Sequence, residues 1–400
     1  MSVILIATLD TKGAEAEFLA EEMTKRGLSV CLIDAGILGG HSYVAEVSID
    51  DVLLAAGTSA WAVRQKRDRG EAVTQAARGV EAVVMQLHRE GKVAGIIALG
   101  GSAGTTIATA AMRALPFGIP KLMISTLASG QVRPFVGPRD IMMMHSVTDI
   151  SGLNRISRSI LGRAAAAMAG MIHSPVSNNL SSDRPILTAT MFGVTTPCVE
   201  ECRQLAERLG YEVLVFHAVG TGGEAMESLI ADKLVAGVLD ITTTELADEL
   251  VGGVLTAGPQ RLTAAARAGV PQVVSVGALD MVNFGPRDSV PAALAHRQFY
   301  FHNANVTLMR TTPEENDKLG RIIASKLSES TAPYQVFLPL GGISAIDMPG
   351  QPFWNPPADE ALFAALRENL PASVIVECPE HINDPAFARR AVDALQSLLA

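Results

Sequence analysis

The strongest constraint on how this chain can fold is a rhythm. Short unbroken apolar runs recur, and each is followed by a longer stretch of helical period. "SVILIAT" (Ser2–Thr8) precedes a segment in which Ala16, Leu19, Ala20 and Met23 share one helical face. "LSVCLIDAG" (Leu28–Gly36) is the next strand, and residues 45–90 read mostly as helix. "VAGIIALG", "TTIATAAMRAL" and "PKLMIST" then continue as strand, helix and strand. Runs that are apolar at every position belong to strands covered on both faces, and hence to parallel sheets flanked by helices. With 400 residues, 48% of them apolar and only 18% charged, the chain has material for two or three large cores.

The rhythm restarts midway. "RPILTATMFGVTTPCVEECRQLAERLGYEVLVFHAVG" parallels the opening "MSVILIATLDTKGAEAEFLAEEMTKRGLSVCLIDAG", with Ala189-Thr190 against Ala7-Thr8 and Gly210 against Gly27. In the second copy Thr196 is the expected helix cap and Pro197 a first-turn proline, with Val199, Cys202, Leu205, Ala206 and Leu209 as the buried stripe. The polar, turn-rich "SPVSNNLSSDRP" lies between the copies. The expected architecture is α/β: two Rossmann-like domains, 1–180 and 181–400, with mainly parallel sheets and helices on both faces.

Charge and cysteine content exclude several classes. The net charge is −9, and the densest basic patch, "RQKRDRGE" (Arg64–Glu71), carries its own acids and reads as a solvated helix face. Nucleic acid is therefore not an expected partner. No apolar run approaches the length of a membrane span, so a membrane partner is not expected either. Four cysteines without a CxxC pair, behind an N-terminus with no basic leader, predict a reducing, cytoplasmic setting without structural zinc. His296 and His302 lack a zinc spacing, and His145, after three methionines, reads as a packed histidine.

In open α/β sheets the loops after the strands carry ligands, so the candidates lie there. "TLDTKGAE" opens the first helix and offers Thr11 and Lys12 to an anion, with Asp10 either a Mg²⁺ ligand or a cap. "GGSAGTT" combines Gly100, Gly101 and Gly104, which permit close backbone approach, with Ser102, Thr105 and Thr106. It is not a P-loop, because Thr105 stands where that motif requires lysine. "STLASGQVRPFVGPRD" adds Ser129, Gly130 and Arg133. Asp149 and Asn154 flank a glycine in "HSVTDISGLNR". In the second half, Asp240, Glu245, Asp280 and Asn283 follow apolar strands. They are expected either to line a cleft facing the first domain, as acid–base groups or metal ligands, or to cap helices on a solvated rim. The sequence contains no GxSxG elbow and no HExxH.

Several segments together carry a resemblance: "ATLDTKGAE", "ALGGSAGTTIA", "STLASG", "SVTDISGLN", "GTGGEAMESLI", "GVLDITTTE", "PQVVSVGALDMVNFG", "HNANVTLMRTTPEEN" and "LPLGGISAIDMPG". The chain resembles, over essentially its whole length, a bacterial family of uncharacterised proteins similar to the N-terminal domain of the tomato mosaic virus resistance protein. The resemblance implies two Rossmann-like subdomains, ATP bound largely by the first, and a homodimer; Mg²⁺ as a companion ion is expected from Asp10 alone. The resemblance also implies phosphate contacts from Thr11, Lys12 and the Gly100–Thr106 loop. The plant protein's further barrel-like domain makes a separately encoded barrel partner an expectation. Two functions stay open: an ATP-binding cytosolic enzyme acting on a small acid in the interdomain cleft, or a non-catalytic nucleotide-binding module that regulates a partner. A nicotinamide-dependent dehydrogenase is the weakest reading, since no GxGxxG follows the first strand and Asp34 stands alone.

Overall fold

A computed structural model describes residues 1–40, 42–174 and 184–400. Its contacts divide the chain into two units, Met1–Asn179 and Leu180–Ala400. The expected boundary at 180/181 itself lies outside the described residues.

In unit 1 strands and helices alternate as the sequence rhythm dictates. The elements are β1 (Ser2–Ala7), α1 (Leu9–Thr24), β2 (Val30–Asp34), α2 (Ile49–Ala55), α3 (Ala60–Lys66), α4 (Arg69–Arg89), β3 (Val93–Gly100), α5 (Ser102–Ala114), β4 (Lys121–Ser125), α6 (Arg133–Val136), β5 (Met142–His145) and α7 (Arg155–His173). The five strands form one parallel sheet in the order β2-β1-β3-β4-β5. Strand alternation explains why every position is apolar. Val3, Leu5, Ala7, Ile97 and Leu99 pack on one face with Leu19 and Met23 of α1 and Leu161 and Met168 of α7. Ile4, Ile6, Ile96 and Ala98 pack on the other with Val52 of α2, Val80 of α4 and Ile107 of α5.

Unit 2 contains β6 (Ile186–Met191), α8 (Thr196–Arg208), β7 (Glu212–His217), α9 (Thr221–Ala231), β8 (Gly237–Thr242), α10 (Glu245–Val251), α11 (Ala264–Ala268), β9 (Gln272–Gly277), β10 (Met281–Phe284), β11 (Phe299–Asn303), β12 (Val306–Arg310), α12 (Pro313–Ser328), β13 (Tyr334–Pro339), α13 (Pro356–Asn369), β14 (Ile375–Cys378) and α14 (Pro385–Leu399). Its main sheet is parallel, ordered β14-β13-β9-β8-β6-β7. The first strands of the two units thus occupy corresponding places, with the second strand on one side and the third on the other. Unit 2 adds an antiparallel sheet, β10-β12-β11.

Three local expectations shift. Thr195, not Thr196, stands at the N-cap position of α8, without a side-chain hydrogen bond to the helix, because a 3-10 turn at Gly193–Thr195 carries the chain into the helix one residue earlier. Cys198 joins Val199, Cys202 and Ala206 in the buried stripe, while Leu209 stays 46% exposed beyond the last turn. His145, at the end of the edge strand β5, is exposed rather than packed.

Candidate functional site

In the order β2-β1-β3 the chain leaves β1 toward one neighbour and returns to β3 on the other side. That reversal leaves a crevice at the carboxyl ends of β1 and β3, the place where open α/β sheets bind ligands. In unit 1 it is a cavity of about 810 Å³, and Thr8, Asp10, Thr11, Lys12, Gly101, Ser102, Ala103 and Gly104 contribute to its wall. Two of the expected loops therefore converge.

Neither helix that begins there is capped by the side chain of the residue before it. Thr8 precedes α1, Gly101 precedes α5, and neither accepts an N–H of its helix through its side chain. The Thr8 hydroxyl lies 2.9 Å from that of Thr11. The uncapped first turn of α5 presents backbone N–H groups and the positive end of the helix dipole, whereas at α1 the buried Asp34 carboxylate takes the Leu9 N–H at 3.1 Å and the Thr8 carbonyl takes those of Thr11 and Lys12. Gly101 tolerates close approach: a Cβ placed on it meets nothing nearer than the Thr126 hydroxyl at 3.7 Å. Helix α1 departs from helical geometry at Lys12 (φ −132°, ψ 21°), and the Lys12 ammonium donates to the Ile150 carbonyl.

The remaining expected residues separate from this group. Asp10 lies in the first turn of α1 instead of at its cap, and its Oδ2 accepts the Leu38 N–H at 2.8 Å. Gly100 is buried as the last residue of β3; a Cβ there would lie 2.9 Å from Gly104 Cα. Thr105 is fully buried, its hydroxyl 2.7 Å from that of Ser125, so it faces away from the cavity. Thr106 turns its hydroxyl back to the Ser102 carbonyl. Ser129, Gly130 and Arg133 are exposed and do not contribute to the cavity wall, because they follow β4, one strand beyond the crevice. Asn154 caps α7 by accepting the Ile156 and Ser157 N–H groups. Asp34, at the end of β2, is 3% exposed and accepts the N–H groups of Leu9 and Gly36. It shapes the loop beside the cavity and is not presented to a ribose.

The patch expected to be a solvated helix face is exposed, and sequence reasoning missed that it also forms part of the cavity wall. Arg64, Arg67 and Arg69 line the same cavity, with Ile37, Leu38, Val63, Ala72, Val73 and Ile107 as its apolar part. The acids of "RQKRDRGE" do not neutralise these arginines. Asp68 caps α4 by accepting the Glu71 N–H, and Glu71 pairs with Lys66. The available signal was the spacing of Asp68 and Glu71, which marks a helix start inside the basic run.

Unit 2 answers its own carboxylates internally. Asp240 and Glu245 are 1% and 0% exposed and converge on the buried Arg261. Its guanidinium donates to Asp240 at 2.5 and 2.6 Å and to Glu245 at 2.6 Å. Glu245 also accepts the N–H groups of Gly220 and Gly223, and so fills the N-terminus of α9. Glu227 likewise accepts the N–H groups of Leu262, Thr263 and Ala264 ahead of α11. Asn283 donates to Asp248 from both backbone and side chain. Burial raises Asp248 to about 7. Asp280 is fully buried, with Ser344 donating to its Oδ2 and Arg310 and Asp347 nearby; burial and then the Asp347 charge raise it to about 8. Arg310 donates to Asp359 at 2.6 Å, and burial followed by Asp347 raises Asp359 to about 7. The expectation that Asp240, Glu245, Asp280 and Asn283 line an open cleft or a solvated rim is therefore corrected: all four are buried. The sequence could not show Arg261, twenty-one residues beyond Asp240, folding back between the carboxylates.

Among the described residues no group of three or more His, Cys, Asp or Glu side chains is placed to hold a metal ion. None of their helices is long and apolar enough to cross a membrane.

Residues 1–177 match the model of the N-terminal domain of an uncharacterised protein family, UPF0261, and residues 184–399 match that of its C-terminal domain. The chain belongs to the UPF0261 family. A UPF0261 protein of Clostridium tetani is 49% identical over 96% of this chain and 96% of its own length. The ToMV resistance protein Tm-1(GCR237) of Solanum lycopersicum is 43% identical over 82% of this chain but only 44% of its own length. This UPF0261 chain thus corresponds to less than half of the tomato protein, and the resemblance read from its motifs holds. Among solved structures, the glycosyltransferase SsfS6 of Streptomyces sp. SF2575, complexed with thymidine diphosphate, aligns over 99% of this chain and 96% of that chain. Identity is 13% and the TM-score 0.16, a likeness too slight to carry an argument.

Proposed function

We propose that unit 1 binds a nucleotide, ATP, at the β1/β3 crevice, and that the protein works as a nucleotide-binding regulatory module. The observation that carries this reading is the convergence of the uncapped N-terminus of α5, the loop that opens α1, a cationic wall and an apolar wall on one cavity. Thr11, Lys12 and the first turn of α5 would hold phosphates, and Ile37, Leu38 and Val63 would cover the base. A Mg²⁺ ion accompanying the phosphates would have Asp10 as its carboxylate neighbour. Regulation is favoured over acid–base chemistry by Asp240 and Glu245 because both are ion-paired to Arg261 inside unit 2. A partner supplying what the tomato relative carries outside the matched region, and a homodimer, belong to the same proposal.

Calorimetry with ATP on the whole chain tests it, comparing wild type with Lys12→Ala and Gly101→Val. Wild type binds and both variants bind more weakly: one loses a cation, and in the other a branched side chain obstructs the backbone approach. Equal affinity in all three removes the site assignment. Steady turnover of ATP with a small acid by the pure protein would favour the enzyme reading instead.

A further inference from the structure

The nucleotide reading places phosphates at Thr11, Lys12 and the first turn of α5 but gives the arginines of the cationic wall, at the corner between α3 and α4, no phosphate of their own. This corner brings Arg64, Arg67 and Arg69 to the cavity wall. We propose that these three arginines form a clamp for the distal phosphates of a triphosphate chain, which makes the site selective for triphosphate over monophosphate. The inference rests on the nucleotide reading and extends it to the choice of ligand.

The corner is built for this by its own hydrogen bonds. Arg64 Nε donates to the Ile37 carbonyl at 2.7 Å, which fixes the guanidinium against the loop after β2. Arg67 closes α3 in the left-handed region (φ 51°), and that turn lets α4 begin at once, with Arg69 as its first residue. Lys66 is paired with Glu71, and Asp68 holds the Glu71 N–H. Among the described residues neither Arg67 nor Arg69 has a side-chain hydrogen bond or ion pair.

Charge decides between ligands. The cavity wall carries four cations, Lys12, Arg64, Arg67 and Arg69, and two carboxylates, Asp10 and Asp68, each of which already accepts a backbone N–H. That leaves two positive charges, and the open N-terminus of α5 adds about half a charge, while the Asp34 carboxylate answers that of α1. A surplus of about two and a half exceeds the charge of about two that a monophosphate carries and suits a longer phosphate chain. Guanidinium groups match phosphate oxygens geometrically, so distal phosphates have a specific partner and not merely an attractive field.

The test is an affinity ladder on the full chain: adenosine, AMP, ADP, ATP and inorganic tripolyphosphate, with wild type, Arg67→Gly and Arg69→Ala. Glycine suits the left-handed backbone at position 67, so any loss there reads the guanidinium and not unfolding. In wild type, affinity climbs steeply from AMP to ATP. Each variant weakens ATP by about tenfold, the scale of one charge-assisted hydrogen bond, and leaves AMP within about twofold. Equal binding of AMP and ATP in wild type, or equal losses for both in the variants, overturns the clamp and leaves the nucleotide reading standing. Arginine-dependent binding of tripolyphosphate without binding of any nucleotide supports the clamp and removes the nucleotide reading. No binding by any of the five overturns both.

Discussion

Gly100 and Gly101 are chain neighbours with opposite tolerances. A methyl on Gly100 would meet the Gly104 backbone at 2.9 Å, whereas one on Gly101 meets only the Thr126 hydroxyl at an ordinary contact distance of 3.7 Å. Gly100→Ala is expected to lower stability by about 1–3 kcal/mol through overpacking, and Gly101→Ala to leave it nearly unchanged. Urea denaturation of the two variants measures the difference, and equal midpoints would contradict the geometry. The sequence showed two adjacent glycines in a strand–helix turn. Which of them supports the fold and which faces the cavity depends on where β3 ends.

The buried acids set a second residue-scale expectation. Asp280 and Asp359 are raised to about 8 and about 7 from an ordinary value of 3.8, chiefly by burial. Between these limits the folded state holds more protons than the unfolded state, so stability falls as pH rises. The contribution is fully present below the ordinary carboxylate value and is lost as pH climbs through about 7–8. The melting temperature should therefore be lower at pH 8.5 than at pH 6, and Asp280→Asn should reduce that difference. A melting temperature that rises over this interval in wild type would show that other groups dominate.

At the scale of elements, a helix start is either left open or filled by a carboxylate from elsewhere in the chain. In unit 1, α5 begins without a side-chain cap beside the cavity, whereas Asp34 takes the Leu9 N–H at the start of α1. In unit 2, Glu245 fills the start of α9 and Glu227 the start of α11, with Arg261 compensating both carboxylates. Removing that cation leaves buried charge unpaired, so Arg261→Met should cost about 3–5 kcal/mol in stability. Adding Asp240→Asn and Glu245→Gln to the same chain should restore part of the loss. A cost below about 1 kcal/mol in denaturant titration would mean that the network is not what holds α9 and α11 in place. Loss of function in Asp240→Asn alone would accordingly report on this network as much as on chemistry. Much of the element scale was legible: unbroken apolar runs gave parallel strands, and Ala16, Leu19 and Met23 gave the inner face of α1. The basic run at Arg64–Glu71 is exposed as its composition implies, but its place on the cavity wall was not legible, because a count of charges does not say which acid answers which base. The structure assigns Glu71 to Lys66 and Asp68 to a backbone N–H.

On the scale of the whole molecule, each unit has its own apolar clusters on the two faces of its parallel sheet. Every residue of the candidate cavity wall belongs to unit 1. A fragment covering residues 1–179 should consequently keep the ATP affinity of the full chain within about threefold, or about 0.7 kcal/mol, and one covering 180–400 should have none. Calorimetry on both fragments checks this, with circular dichroism confirming that each is folded. A folded first fragment without affinity would move the site out of unit 1. The sequence by itself determined the fold class, the repeat of one strand–helix pattern in two halves and the two loops that open on the crevice. Those features follow from local period and turn chemistry, which any short segment carries within itself. Tertiary structure alone decided that Arg64, Arg67 and Arg69 join those loops and that Arg261 closes over Asp240 and Glu245. It also decided that Thr105 and Asp280 point into cores. Such pairings depend on which distant segments the sheet order brings side by side, and charge or hydroxyl content in a linear window does not encode that.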